Sequence, residues 1–168
     1  LITPRTRVLF INSPANPTGG VLSRDDLTRI AALAVEHDLW VVADEIYGRI
    51  LYDGAEHVSI AALPGMAERT IVLDGFSKTF AMTGWRAGWV VGPAHLMARV
   101  REAKAAITGG TSVVTQYAAL AALTGPQDSV DEMRTVLARR RRIVTEAFDE
   151  MGFVYGQPQG GQFIFADA

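Results

Sequence analysis

Three short runs of β-prone apolar residues constrain the fold more than any other feature of the sequence: residues 7–12 (RVLFIN), 39–44 (LWVVAD) and 70–74 (TIVLD). The second shows little alternation of apolar and polar positions. That is the pattern of a parallel strand covered on both faces, not of a hairpin strand with one wet face. Between the first two runs lie a turn-rich stretch, residues 13–20 (SPANPTGG), and a segment in which Leu27, Ile30, Ala31 and Ala34 recur at helical spacing. Ser23 stands three residues before Asp26, a capping-box arrangement that starts a helix over residues 23–37. A strand, a loop, a helix and a strand in that order form a right-handed parallel pair. The expected class is α/β, a three-layer sandwich around a mostly parallel sheet.

The connection to the third strand is long enough for a crossover and includes a short apolar piece, residues 59–63. Residues 87–91 read as a fourth strand. Because residues 75–86 lack a helical apolar stripe, that strand is expected to run antiparallel to the third. Leu96, Val100, Ala103 and Ile107 then mark a helix that Gly109 and Gly110 end, and residues 112–123 are expected to be helical as well. Ser129 with Glu132 suggests a capping box for a long helix with an apolar face of Met133, Leu137, Val144, Ala147 and Met151, stopped by Gly152. Such a helix can bridge two domains. A new strand is expected over residues 163–166, where the sequence stops. With Leu rather than Met at its start, the chain is expected to be a piece of a longer protein.

Composition narrows the partners. With 49% hydrophobic and 20% charged residues among 168, the chain can bury one sizeable core. A net charge of -2 provides no basic field for nucleic acid or anionic lipid, so the expected ligand is small. No apolar run approaches the roughly 18 residues of a membrane span. The absence of cysteine suits a reducing cytoplasm and removes thiolate metal sites; His37, His57 and His95 have no ligand spacing, so no metal is expected.

Ligands of an open parallel sheet bind beyond the carboxyl ends of its strands. Asn16 follows the first strand, Asp44 and Tyr47 the second, and Ser77 and Lys78 the third. Each alone has an ordinary explanation, such as a turn residue before Pro17 for Asn16 or a capping carboxylate for Asp44. Their convergence does not. The motifs are Asn16-Pro17-Thr18-Gly19, Asp44-Glu45-Ile46-Tyr47, and Ser77-Lys78 followed by Thr83-Gly84-Trp85-Arg86-Ala87-Gly88-Trp89. In this order, over essentially the whole chain, the sequence resembles the fold-type I pyridoxal-phosphate enzymes, specifically the class I and II aminotransferases.

The resemblance implies a pyridoxal 5'-phosphate cofactor held as a Schiff base. An amine is the side chain that condenses with an aldehyde, and Lys78 is one of only two lysines, the other being Lys104 within a helix. Freed from the cofactor, Lys78 would move a proton between the substrate Cα and the cofactor's C4′. Asp44 would keep the pyridine nitrogen protonated: opposite charges about 4 Å apart at an effective dielectric of about 20 attract by roughly 4 kcal/mol. Tyr47 and Asn16 match residues that donate to the phenolic oxygen. Arg86 and Ser77 match the phosphate ligands, and a planar guanidinium fork suits a phosphate. The position three before the lysine, often serine in the family, is Gly75, which puts one phosphate hydrogen bond in doubt.

The implied organisation is the C-terminal part of the cofactor-binding large domain at 1–108, linking helices at 109–151, and the start of an α+β small domain at 152–168. The implied activity is amino transfer between an amino acid and a 2-oxo acid by a cytoplasmic homodimer, with the piece inactive alone. The same cofactor residues also serve carbon–sulfur β-lyases and other Cα chemistry, and some sensors carry such a domain without catalysis. A nucleotide hydrolase is disfavoured, because Phe76-Ser77-Lys78-Thr79 lacks the glycine that precedes the lysine of a P-loop. Arg139 to Arg142 are expected to form a solvated face with one stem packed inward.

Overall fold

The computed structural model describes residues 1–167. Strands β1 (Val8–Asn12), β2 (Trp40–Asp44), β3 (Thr70–Gly75) and β4 (Gly88–Val91) form one sheet in that spatial order. The first three are parallel, and β4 runs antiparallel to β3. The α/β class, the parallel first pair and the reversed fourth strand are those expected from the sequence. Helix α1 (Arg24–Glu36) makes the β1 to β2 crossover, and a single 3-10 turn at Ile60–Ala62 lies on the way to β3.

The capping box that starts α1 is formed: Ser23 Oγ accepts the Asp26 N–H at 3.1 Å, and the Asp26 carboxylate accepts the Ser23 N–H at 3.2 Å. Leu27, Ala31 and Ala34 of α1 are buried in one cluster with Leu39, Val41, Ala43, Ile60 and Met66. Full burial of a leucine-sized side chain contributes roughly 1.5–3 kcal/mol, so this cluster fixes α1 on one face of the sheet. On the opposite face the described residues provide only part of the cover. Phe10 on that face is 64% exposed, and helix α2 (Ala94–Ile107) meets it at Trp40, whose ring lies 6.2 Å from that of His95.

The β3–β4 pair depends on two glycines. Gly75 and Gly88 are register partners, and a Cβ on Gly75 would lie 2.8 Å from the Gly88 Cα. One on Gly88 would lie 2.8 Å from the Asp74 carbonyl oxygen. The backbones therefore approach where any side chain would part them.

Helix α3 (Val113–Thr124) precedes the long helix α4 (Asp128–Met151). The Ser129 and Glu132 capping box is not formed. Gln127 occupies the N-cap without a side-chain bond to the helix: its Oε1 accepts from Arg49 at 2.8 Å, while its amide donates to the carbonyls of Ala122 and Gly125 at the end of α3, both at 2.9 Å. The predicted apolar face packs only in its first half: Met133 and Leu137 lie against the buried cluster of Tyr47, Ile50 and Tyr52, whereas Val144 and Met151 are exposed. Gly152 ends α4 in the left-handed region, as predicted. Of the four arginines, Arg141 is the one turned inward: it lies 4.8 Å from the Tyr52 ring centroid and donates to the Pro158 carbonyl and the Asp53 carboxylate.

The strand expected over residues 163–166 is displaced. Only β6 (Ala166–Asp167) pairs, with β5 (Val154–Tyr155). Phe163 instead packs edge-on against Tyr47 at 5.6 Å, just after Gly160 and Gly161, whose N–H groups donate to the Gly19 and Ile50 carbonyls. Those contacts hold the segment against the large sheet's loops before the chain enters β6.

Gly88→Ala is expected to force β3 and β4 apart and cost about 1–3 kcal/mol of stability. Denaturant unfolding of the complete protein should show a lower midpoint; an unchanged midpoint would mean that the contact is not constraining.

Candidate active site

The loops after β1, β2 and β3 leave the sheet at one edge, because the parallel register continues to the last residues. Asn12 pairs with Asp44, Ser13 N–H donates to the Asp44 carbonyl at 3.2 Å, and Glu45 N–H donates to the Leu73 carbonyl at 2.9 Å. Asp44 and Tyr47 from the second loop, Lys78 from the third, and Asn16 from the first line one open cleft of about 580 Å³. Phe10, Asn12 and Ile46 complete its wall.

Each side chain has a local reason for its place. Asp44 Oδ1 accepts the Ile46 N–H at 3.2 Å, turning the chain directly after the strand. Tyr47 is 3% exposed, held between Phe163 and the Ile50–Tyr52 cluster. Burial raises its phenol above the ordinary tyrosine range, and the negative charge of Asp44 adds to the rise. Its hydroxyl is a donor at neutral pH, as that of an ordinary tyrosine is. Lys78 follows β3 in a turn closed by Ala81 N–H to the Lys78 carbonyl, and its Nζ lies 5.7 Å from the Tyr47 ring centroid. Asn16 is on the exposed side of the cleft, with its N–H donating to Asn12 Oδ1 at 2.7 Å.

Ser77 and Arg86 do not line this cleft. Ser77 is half-buried beside Lys78. Arg86 is exposed, with φ 53°, and its guanidinium donates to the Thr83 carbonyl at 2.9 Å. Gly75 offers no side chain to a phosphate, and its tight approach to Gly88 leaves no room for one.

Asn12 escaped the sequence reading. Its Oδ1 receives Asn16 and its Nδ2 donates to the Asp44 carbonyl at 3.1 Å, so one amide ties the first loop to the second. The available signal was its position at the carboxyl end of β1.

The family pattern for aminotransferase class I and II matches residues 1–168. The chain belongs to that family. It is 46% identical to an arginine–pyruvate transaminase of Pseudomonas aeruginosa, covering 99% of this chain and 42% of that protein. It is 48% identical to an aspartate aminotransferase of Pyrococcus abyssi, covering 98% of this chain and 43% of that protein. Among solved structures, the aromatic aminotransferase from Pyrococcus horikoshii superposes with a TM-score of 0.95 at 47% identity, covering 98% of this chain and 45% of that one. The chain thus spans less than half the length of these relatives. Pyridoxal 5'-phosphate is the cofactor expected of this aminotransferase family. The cleft fits it in chemistry and in size: an amine, a carboxylate and a neutral phenol converge in a space within the roughly 300–1,000 Å³ typical of small-molecule sites.

Asp74, at the end of β3, is a second carboxylate near the site. Burial raises its carboxyl above the ordinary range, against the Gly75 N–H that it accepts at 2.6 Å, and the charges of Glu45 and Asp44 raise it further while His57 opposes them. The folded state thus holds this proton more tightly than the unfolded chain. The associated stability is present below the ordinary carboxylate range and is lost as pH rises through the raised folded value. Asp74→Asn keeps an acceptor for Gly75 and cannot ionise. Its melting temperature relative to the unsubstituted protein should therefore increase from about pH 4 to about pH 7. A difference independent of pH would contradict this assignment.

Proposed function

We propose that the complete protein is a pyridoxal-phosphate-dependent aminotransferase that moves an amino group between an amino acid and a 2-oxo acid, with Lys78 as the covalent anchor. The observation that carries this reading is the convergence of Asn16, Asp44, Tyr47 and Lys78 from three strand ends on one cleft. Bound pyridoxal phosphate supplies an electron sink for the charge left when a proton leaves the substrate Cα. Lys78 would supply the amine that anchors the cofactor's aldehyde and the basic group that holds a proton near the substrate Cα. Asp44, a carboxylate in the cleft wall, would stabilise a protonated ring nitrogen by its negative charge. Tyr47 and Asn16 would donate to the phenolic oxygen. Arg86 and Ser77, outside the cleft wall in this chain, would bind the phosphate at its margin; among the described residues the Arg86 guanidinium makes one hydrogen bond, to Thr83, which leaves donors for a phosphate.

Residues 1–108 are assigned to the cofactor-binding domain, 109–151 to linking helices, and 152–168 to the start of a smaller domain. The relatives are named for aspartate, aromatic amino acids and arginine, so the substrate class extends to amino acids of quite different side chains. No helix among the described residues is long and apolar enough to cross a membrane. We assign the working form to a homodimer in the cytoplasm, as the family resemblance implies. The 168-residue chain alone is expected not to turn over, because positioned groups act as a unit.

Borohydride reduction of the complete protein with pyridoxal phosphate, followed by peptide mass mapping, should place the cofactor on Lys78. Label on Lys104 would overturn the assignment. Asp44→Ala should slow proton abstraction by at least about a hundredfold while the cofactor still attaches; near-normal single-turnover rates would contradict the role given to Asp44.

A further inference from the structure

Asp44 and Glu45 are neighbours at the end of β2 and face opposite ways. Asp44 lines the cleft, whereas Glu45 turns to the far side of the sheet, where it meets His57 and Ser59. The Glu45 side chain is 12% exposed and that of His57 17%. Glu45 Oε2 accepts from His57 Nε2 at 3.0 Å, and Oε1 accepts from the Ser59 hydroxyl at 2.7 Å. A carboxylate taken this far out of water is costly unless both oxygens are satisfied, and each oxygen here has a donor from the same short segment. Hydrogen bonds to a charged group are the strong ones.

The main chain of Glu45 is fixed as well. Its N–H donates to the Leu73 carbonyl of β3, and its carbonyl accepts the Gly48 N–H at 2.7 Å, closing the turn that carries Tyr47. The His57 ring lies directly beneath that turn: a Cβ on Gly48 would come within 2.9 Å of His57 Cδ2. The imidazole is therefore both a hydrogen-bond partner for Glu45 and a floor for the Tyr47–Gly48 peptide. Neither Glu45 nor His57 reaches the cleft.

We propose that Glu45 and His57 are positioning residues, which from behind the sheet hold the turn that aims Asp44 and Tyr47 into the cofactor cleft. This rests on the reading that the cleft binds pyridoxal phosphate. Removal of the floor frees the turn, so the Tyr47 hydroxyl loses its fixed direction toward the phenolic oxygen and the Asp44 carboxylate its direction toward the ring nitrogen. A side chain that served only to fill space would affect stability without changing either.

The test uses the complete protein and pyridoxal phosphate, reading the dissociation constant, the pH midpoint of the bound cofactor's visible band, and the melting temperature. His57→Ala should weaken cofactor binding about tenfold, the effect of losing one charge-assisted contact. It should also raise the band midpoint by about half a pH unit, as stabilisation of negative charge on the phenolic oxygen declines. His57→Gln, which restores a donor to Glu45, should recover most of both. If His57→Ala does not fold, Ser59→Ala removes the other donor and should move both readouts in the same direction by less. A lowered melting temperature with unchanged affinity and unchanged midpoint would overturn the proposal. No visible band in the unsubstituted protein would instead overturn the cofactor reading, and the proposal with it.

Discussion

The carbonyl of Asp44 accepts two hydrogen bonds from the end of β1, the Ser13 N–H at 3.2 Å and the Asn12 side-chain amide at 3.1 Å. Through these bonds the parallel pairing of β1 and β2 continues into the loops, and Glu45 N–H extends it to β3 through the Leu73 carbonyl. Three strands that end together deliver three loops to one edge, which allows residues far apart in sequence to share a cleft. A slip of one residue between β1 and β2 would turn Asn12 to the opposite face and separate Asn16 from Asp44.

The two faces of the sheet divide the work. Behind it, Leu27, Ala34, Val41, Ala43 and Met66 form a fully apolar cluster that supplies stability. In front, Asp44 and Lys78 stay accessible to a ligand, and Phe10 and Asn16 are exposed. Tyr47 belongs to both environments. Its ring is buried with Ile50 and Tyr52 while its residue lines the cleft. The same cluster receives Met133 and Leu137 of α4 and Phe163, so α4 and the segment after it bear on the site through this cluster.

The strands, α1 with its capping box, the reversed β4 and the convergence at the strand ends were legible because each follows from local pattern: apolar runs, helical spacing, and motifs at turns. What escaped depends on contacts between distant residues. The Ser129 and Glu132 pattern implied a cap, but Gln127 reaches back to the preceding helix, an option that spacing does not reveal. Phe163 fits a strand by composition, yet its ring is drawn to Tyr47. Asn12 reads as an ordinary strand end until the register sets it opposite Asp44. Gly75 looked like a lost phosphate ligand and is a close backbone approach to Gly88. Glu45 and His57, twelve residues apart, meet only through the crossover.

A crystal structure of the complete protein with pyridoxal phosphate tests the central claim most directly. The account predicts the ring nitrogen beside the Asp44 carboxylate, the phenolic oxygen within hydrogen-bond reach of Tyr47 and Asn16, and continuous density to Lys78 Nζ. A cofactor seated elsewhere, for instance in the cavity between Tyr52, Arg141 and Phe163, with Lys78 unattached, would contradict it.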